Sequence, residues 1–87
     1  MVSTKAIEDT ILAFLGERKG RTICPSEVAR RLEPKQWKPL MPSVREVAAR
    51  LALEGRLVAT QKGKEVHALS ARGPIRLKAL ESCDADF

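Results

Sequence analysis

Aromatic residues are scarce in this sequence: two Phe, one Trp and no Tyr among 87 residues. A core of stacked rings is thereby excluded. The interior must be aliphatic, drawn from Ile7, Ile11, Leu15, Val28, Leu32, Val44, Leu51, Leu57, Val58, Ile75 and Leu77, with Phe14 and Trp37 as the large pieces. Cysteine is scarce too. Cys24 and Cys83 are too few and too widely separated to suggest a metal site or a disulfide framework, which fits a reducing compartment and predicts that the two stay unpaired. His67 is the sole histidine. Without a Ser/His/Asp arrangement or a Gly-rich phosphate loop of a known pattern, no catalysis, cofactor or metal is expected. No apolar run approaches the roughly 18 residues of a membrane span, and Met1–Lys5 is too short and polar for a signal peptide. The expected location is the cytoplasm.

Negative charge is thin in the middle of the chain. Residues 18–78 hold 15 Lys and Arg against 5 Asp and Glu, a balance of +10, whereas residues 1–17 come to −2 and residues 79–87 to −3, which together make the +5 of the whole. A basic middle draws polyanions such as DNA or RNA through long-range attraction and counterion release. The bland alternative is ordinary solubility charge, since surface Arg and Lys are common on any small domain.

With 44% hydrophobic residues the chain can bury a small core without a staple, and residues 1–81 read as one domain followed by an acidic tail at 82–87. The spacing of Ile7, Ile11, Phe14 and Leu15 predicts a first helix over 4–19, capped by Ser3 or Thr4 and ended by Gly20. Arg21–Cys24 suits a brief strand. Cys24-Pro25-Ser26-Glu27 then starts a second helix over 25–33, with Cys24 at the N-cap, Pro25 at the first helical position and Glu27 placed for a capping box. Pro34 and Pro39 make a stiff elbow plugged by Trp37.

A third helix over 41–54 buries Val44, Val47, Ala48 and Leu51 and ends at Gly55. Its outward face is centred on Pro42, Glu46, Ala49 and Leu53, with Arg45 and Arg50 on the flanks. A two-stranded ribbon is expected at 57–62 and 75–79, with a turn at Lys62-Gly63-Lys64 and an extended loop at 65–74. The fold class is therefore mainly α with a small β ribbon: a winged helix-turn-helix, three helices plus a basic wing.

The pieces TICPSEVARRL, WKPLMPSVREVAARLALEGRLV, TQKGKEV and ARGPIRLK, within residues 22–78, resemble a bacterial family of small winged-helix proteins of unknown function, DUF3253. The resemblance implies a three-helix bundle with a small wing and supplies no reaction, ligand or partner. His67 departs from the acidic residue expected at that place in the family.

A nucleic-acid-binding module is the leading expectation, with the third helix in the major groove and the wing on the backbone. Arg45 and Arg50 would flank the groove, Ser43 would bond a phosphate, and Lys38, Lys62, Lys64, Arg72 and Arg76 would contact phosphates. The face centre offers Glu46 to a cytosine amino group but no Asn, Gln or Arg, so duplex DNA binding should be weak or sequence-tolerant. The alternative is a protein-interaction module docking through Pro42, Ala49 and Leu53. A redox role for Cys24, a thiol at a helix N-terminus near Arg21, is a third and more remote reading.

Overall fold

Helix α1 spans Thr4–Glu17, and its start is set by Ser3, whose Oγ accepts the Ala6 N–H at 3.1 Å. The computed structural model describes residues 2–18 and 21–80. Helix α1 stops at Glu17, short of the expected 19, with Arg18 as its C-cap donating its N–H to the Phe14 carbonyl. Gly20, the pairing state of Cys83 and the acidic tail at 82–87 lie outside the described residues. One face of α1 buries Ile7, Ile11, Phe14 and Leu15, the stripe that a 3.6-residue repeat produces.

Strand β1 (Thr22–Ile23) leads into α2 (Pro25–Leu32). Glu27 fixes the start of α2 by accepting the Cys24 N–H at 3.0 Å, while Pro25 fills the first helical position, where no N–H is needed. The proline-containing elbow closes into a single 3₁₀ turn at Lys38–Leu40, which runs directly into α3 (Met41–Leu53). Helix α3 ends in a Schellman motif. Gly55 takes φ 78°, its N–H bonds the Ala52 carbonyl, and the Arg56 N–H bonds the Leu51 carbonyl, both at 3.0 Å.

The β portion is larger than a two-stranded ribbon. Strands β2 (Leu57–Gln61), β3 (Lys64–Glu65) and β4 (Arg76–Ala79) join β1 in an antiparallel sheet of order β1-β4-β2-β3. Ile23 pairs with Leu77 and Ala59 pairs with Leu77 on its other side, so one face of the sheet lies on the core. β1 falls within the brief strand expected at Arg21–Cys24, whereas its place in the sheet and the short β3 go beyond the expected ribbon. β3 is the return of a tight hairpin, and β1 is held because fully buried Ile23 must cover its backbone polar groups with a strand partner. The architecture is thus three helices closed by a small four-stranded antiparallel sheet.

The core joins the helical stripes to Ile23, Leu57, Ile75 and Leu77, all at most 1% exposed. Burial of each such side chain stabilises by about 1.5–3 kcal/mol. Alanines at 29, 48, 49, 59 and 68 are buried as well and let helices and sheet approach closely. Leu32 and Trp37, expected inside, pack only partly against the core, and Val58, also expected inside, is only half-buried. Val58 falls on the outer side of β2, because Leu57 and Ala59 take the inner side and strand side chains alternate.

Candidate nucleic-acid interface

The exposed stripe of α3 carries Pro42, Ser43, Glu46, Arg50 and Leu53. Ala49, expected at its centre, is only 6% exposed: it lines a groove with Ala52, Leu53 and the segment Glu65–Ala68, which runs past the C-terminal half of the helix. The docking patch of Pro42, Ala49 and Leu53 therefore lacks its middle member at the surface. Leu53 is 83% exposed.

Neither arginine flanking this face stands free for phosphate. Arg45 donates from Nη1 to the carbonyls of Ala68 (3.3 Å) and Ala71 (2.7 Å) and from Nη2 to that of Gly73 (2.5 Å). These three charge-assisted bonds staple the segment 68–73 to α3. Arg50 bonds Glu8 of α1 at 2.6 Å and Glu54 at 3.1 Å, and Arg56 joins the same two carboxylates at 3.4 and 3.9 Å. The hydrogen bond from Arg50 holds the Glu8 carboxyl below the ordinary glutamate value, with desolvation opposing and the charges of Arg50 and Arg56 adding. Arg50 and Arg56 thus share the carboxylates of Glu8 and Glu54, and exposed Glu46 adds a further negative charge on α3.

The hairpin is different. Gln61 pairs with Lys64 across a two-residue turn whose central residues, Lys62 and Gly63, have φ 53° and 84°, the positive values that a type I′ turn needs. The Gln61 side-chain amide bonds the carbonyls of Arg72 and Pro74, which holds the Arg72 segment beside the hairpin. Lys62, Lys64 and Arg72 are exposed and make no ion pair with a carboxylate among the described residues. Between hairpin and β4, His67 shapes the loop: its Nδ1 accepts the Leu69 N–H at 3.2 Å, and its carbonyl accepts from Ser70 and Ala71. A side-chain acceptor for the N–H two residues on is what an Asp supplies in an Asx turn, so His67 serves the same backbone.

The remaining expected contacts are dispersed. Lys38 is exposed in the 3₁₀ turn, its Nζ 5.8 Å from the Trp37 ring centroid, and the Arg30 guanidinium lies over the same ring at 4.3 Å. Ser43 lines a separate groove with Glu33, Gln36 and Leu40. Arg76 lies on the outer face of the sheet, where its Nε donates to Thr22 Oγ1 at 2.9 Å and it shares a cleft with Arg18 and Arg21. Arg18 and Arg21 were not among the expected contacts. The alternation of β4, with Arg76 and Lys78 outward around buried Leu77, was the available signal, but β1 as its neighbour was needed to read it.

No helix among the described residues is long and apolar enough to cross a membrane. Fold and surface together define a small domain of three helices and an antiparallel sheet that presents a basic hairpin. The chain belongs to the DUF3253 family, described as a protein of unknown function, whose model matches residues 4–80. No curated protein matches the sequence.

Proposed function

We infer that the protein is a winged-helix module that binds duplex nucleic acid with little sequence preference, its hairpin and the adjoining Arg72 segment resting on the phosphate backbone. One contrast carries this reading: the α3 arginines are committed within the molecule, whereas Lys62, Lys64 and Arg72 are exposed and without carboxylate partners among the described residues. Cations of that kind contact phosphates and supply affinity without reading bases. Base-edge readout would need Asn, Gln or uncommitted Arg on α3, and its exposed stripe offers Glu46, Arg50 tied to Glu8, and Leu53. Anisotropy titrations with two unrelated duplexes test this. Dissociation constants equal within about threefold, in the range of about 10⁻⁴–10⁻⁶ M and weakening with salt, are expected. A preference of a hundredfold for one sequence contradicts it.

A second reading rests on Leu53, which lines an open groove of about 440 Å³ with Val66 and His67. An exposed leucine beside an apolar groove suits contact with another protein. Under this reading Leu53→Glu abolishes complex formation in sedimentation experiments while leaving duplex binding unchanged.

A further inference from the structure

Where α1 ends and β1 begins, Arg18, Arg21, Thr22 and Arg76 line one open cleft of about 670 Å³. Each reaches it from a different piece of the fold: Arg18 caps α1, Arg21 and Thr22 belong to the approach and first residue of β1, and Arg76 opens β4. The Thr22–Lys78 and Ile23–Leu77 register brings β4 beside β1 and so sets Arg76 next to Thr22. Because Arg76 donates its Nε to the Thr22 hydroxyl, its guanidinium is oriented while neither terminal nitrogen has a hydrogen-bond partner among the described residues.

The only carboxylate in contact with this group among the described residues is Glu27. One of its oxygens takes Nη1 of Arg18 at 2.5 Å and the other takes the Cys24 N–H at 3.0 Å. Burial pushes the Glu27 carboxyl up, but the Cys24 N–H, the Arg18 guanidinium and the charge of Arg76 outweigh it and hold it below the ordinary glutamate value. The carboxylate thus neutralises one guanidinium of three, and neither Arg21 nor Arg76 has an ion-pair partner among the described residues.

We propose that the cleft of Arg18, Arg21, Thr22 and Arg76 binds a phosphate group. Two unneutralised guanidinium forks and a hydroxyl match a tetrahedral, doubly charged group with several acceptor oxygens better than they match a carboxylate, which presents two oxygens and one charge. The open side leaves room for whatever carries the phosphate, a nucleic-acid backbone or a small phosphorylated molecule. The site does not depend on the hairpin.

The test titrates the full, ¹⁵N-labelled chain with inorganic phosphate against a chloride control of equal ionic strength. Saturating shifts are expected at the Arg76 Nε–H and the Thr22 amide. Arg21→Gln with Arg76→Gln weakens phosphate binding about tenfold or more, the loss of charge-assisted hydrogen bonds. Thr22→Val, which keeps every charge but frees the Arg76 fork, weakens it by less. Lys62→Gln with Lys64→Gln removes equal charge elsewhere and leaves it unchanged. Melting temperatures of all three variants establish that they fold. A fall in duplex affinity of the Arg21/Arg76 variant identifies a backbone phosphate as the source, and unchanged duplex affinity identifies a small phosphorylated molecule. Absence of saturating shifts at Thr22 and Arg76, or an equal loss in the Lys62/Lys64 variant, overturns the proposal.

Discussion

Arg45 shows how a side chain suited to phosphate contact becomes a structural part. Its three carbonyl partners are backbone groups of a loop with little apolar burial of its own. Arg45→Ala should therefore cost about 1–3 kcal/mol, read as a melting temperature lower by about 4–8 °C per kcal/mol, with hydrogen-exchange protection lost first over residues 66–74. A melting temperature unchanged by the substitution would contradict the staple. His67→Asp, which retains an acceptor for the Leu69 N–H, should keep the loop, whereas His67→Ala should raise amide exchange at Leu69. Glu8 and Glu27 both titrate below the ordinary glutamate value. Their contribution to stability is then complete above roughly pH 4.3 and is lost as pH falls through their lower folded values, because protonation breaks bonds made only in the native state. Acid titration followed by circular dichroism should show this loss reduced in Glu8→Gln and Glu27→Gln. Of these residue roles, only the Glu27 capping box was legible in sequence, since its partner is three residues away; the partners of Arg45 lie 23 to 28 residues on.

Among the elements, the three helices follow from local signals that the chain states openly: Ser3 and Pro25 at starts, Gly55 at an end, and apolar stripes between. Most of the sheet was legible. Strands β2 and β4 carry enough alternation to read and the β-branched Thr22–Ile23 marks β1, but the pairing of β1 with β4 is long-range, and β3, two residues returning from the hairpin turn, is too short for any period. The outward face of α3 was misjudged at Ala49 because helical periodicity does not reveal which loop crosses a helix. At the hairpin, Gly63 holds φ 84°, a conformation that costs an L-residue about 1–2 kcal/mol. Gly63→Ala should destabilise the β2–β3 turn by about that amount and shift the Lys62 and Lys64 resonances, while those of α1 stay in place. Unchanged spectra there would show that the turn does not need its positive φ.

For the molecule as a whole, the +10 of residues 18–78 is not spread evenly over functional surface. Part of it is spent internally by Arg18, Arg45, Arg50 and Arg56. Composition revealed the total charge, but only the fold separates cations that hold the domain together from those left to meet a partner. The candidate interface read from sequence therefore divides into a committed helix flank and an available hairpin. The most direct measurement of this division is the salt dependence of duplex DNA affinity, by fluorescence anisotropy, for the unaltered protein and for Lys62→Ala/Lys64→Ala/Arg72→Ala. Each phosphate contact contributes a slope of about −0.9 in log affinity against log salt. The triple change should flatten the slope by up to about three units and weaken binding alike on unrelated sequences. A slope unaltered by the triple change, or no binding at low salt, would contradict a phosphate-resting hairpin.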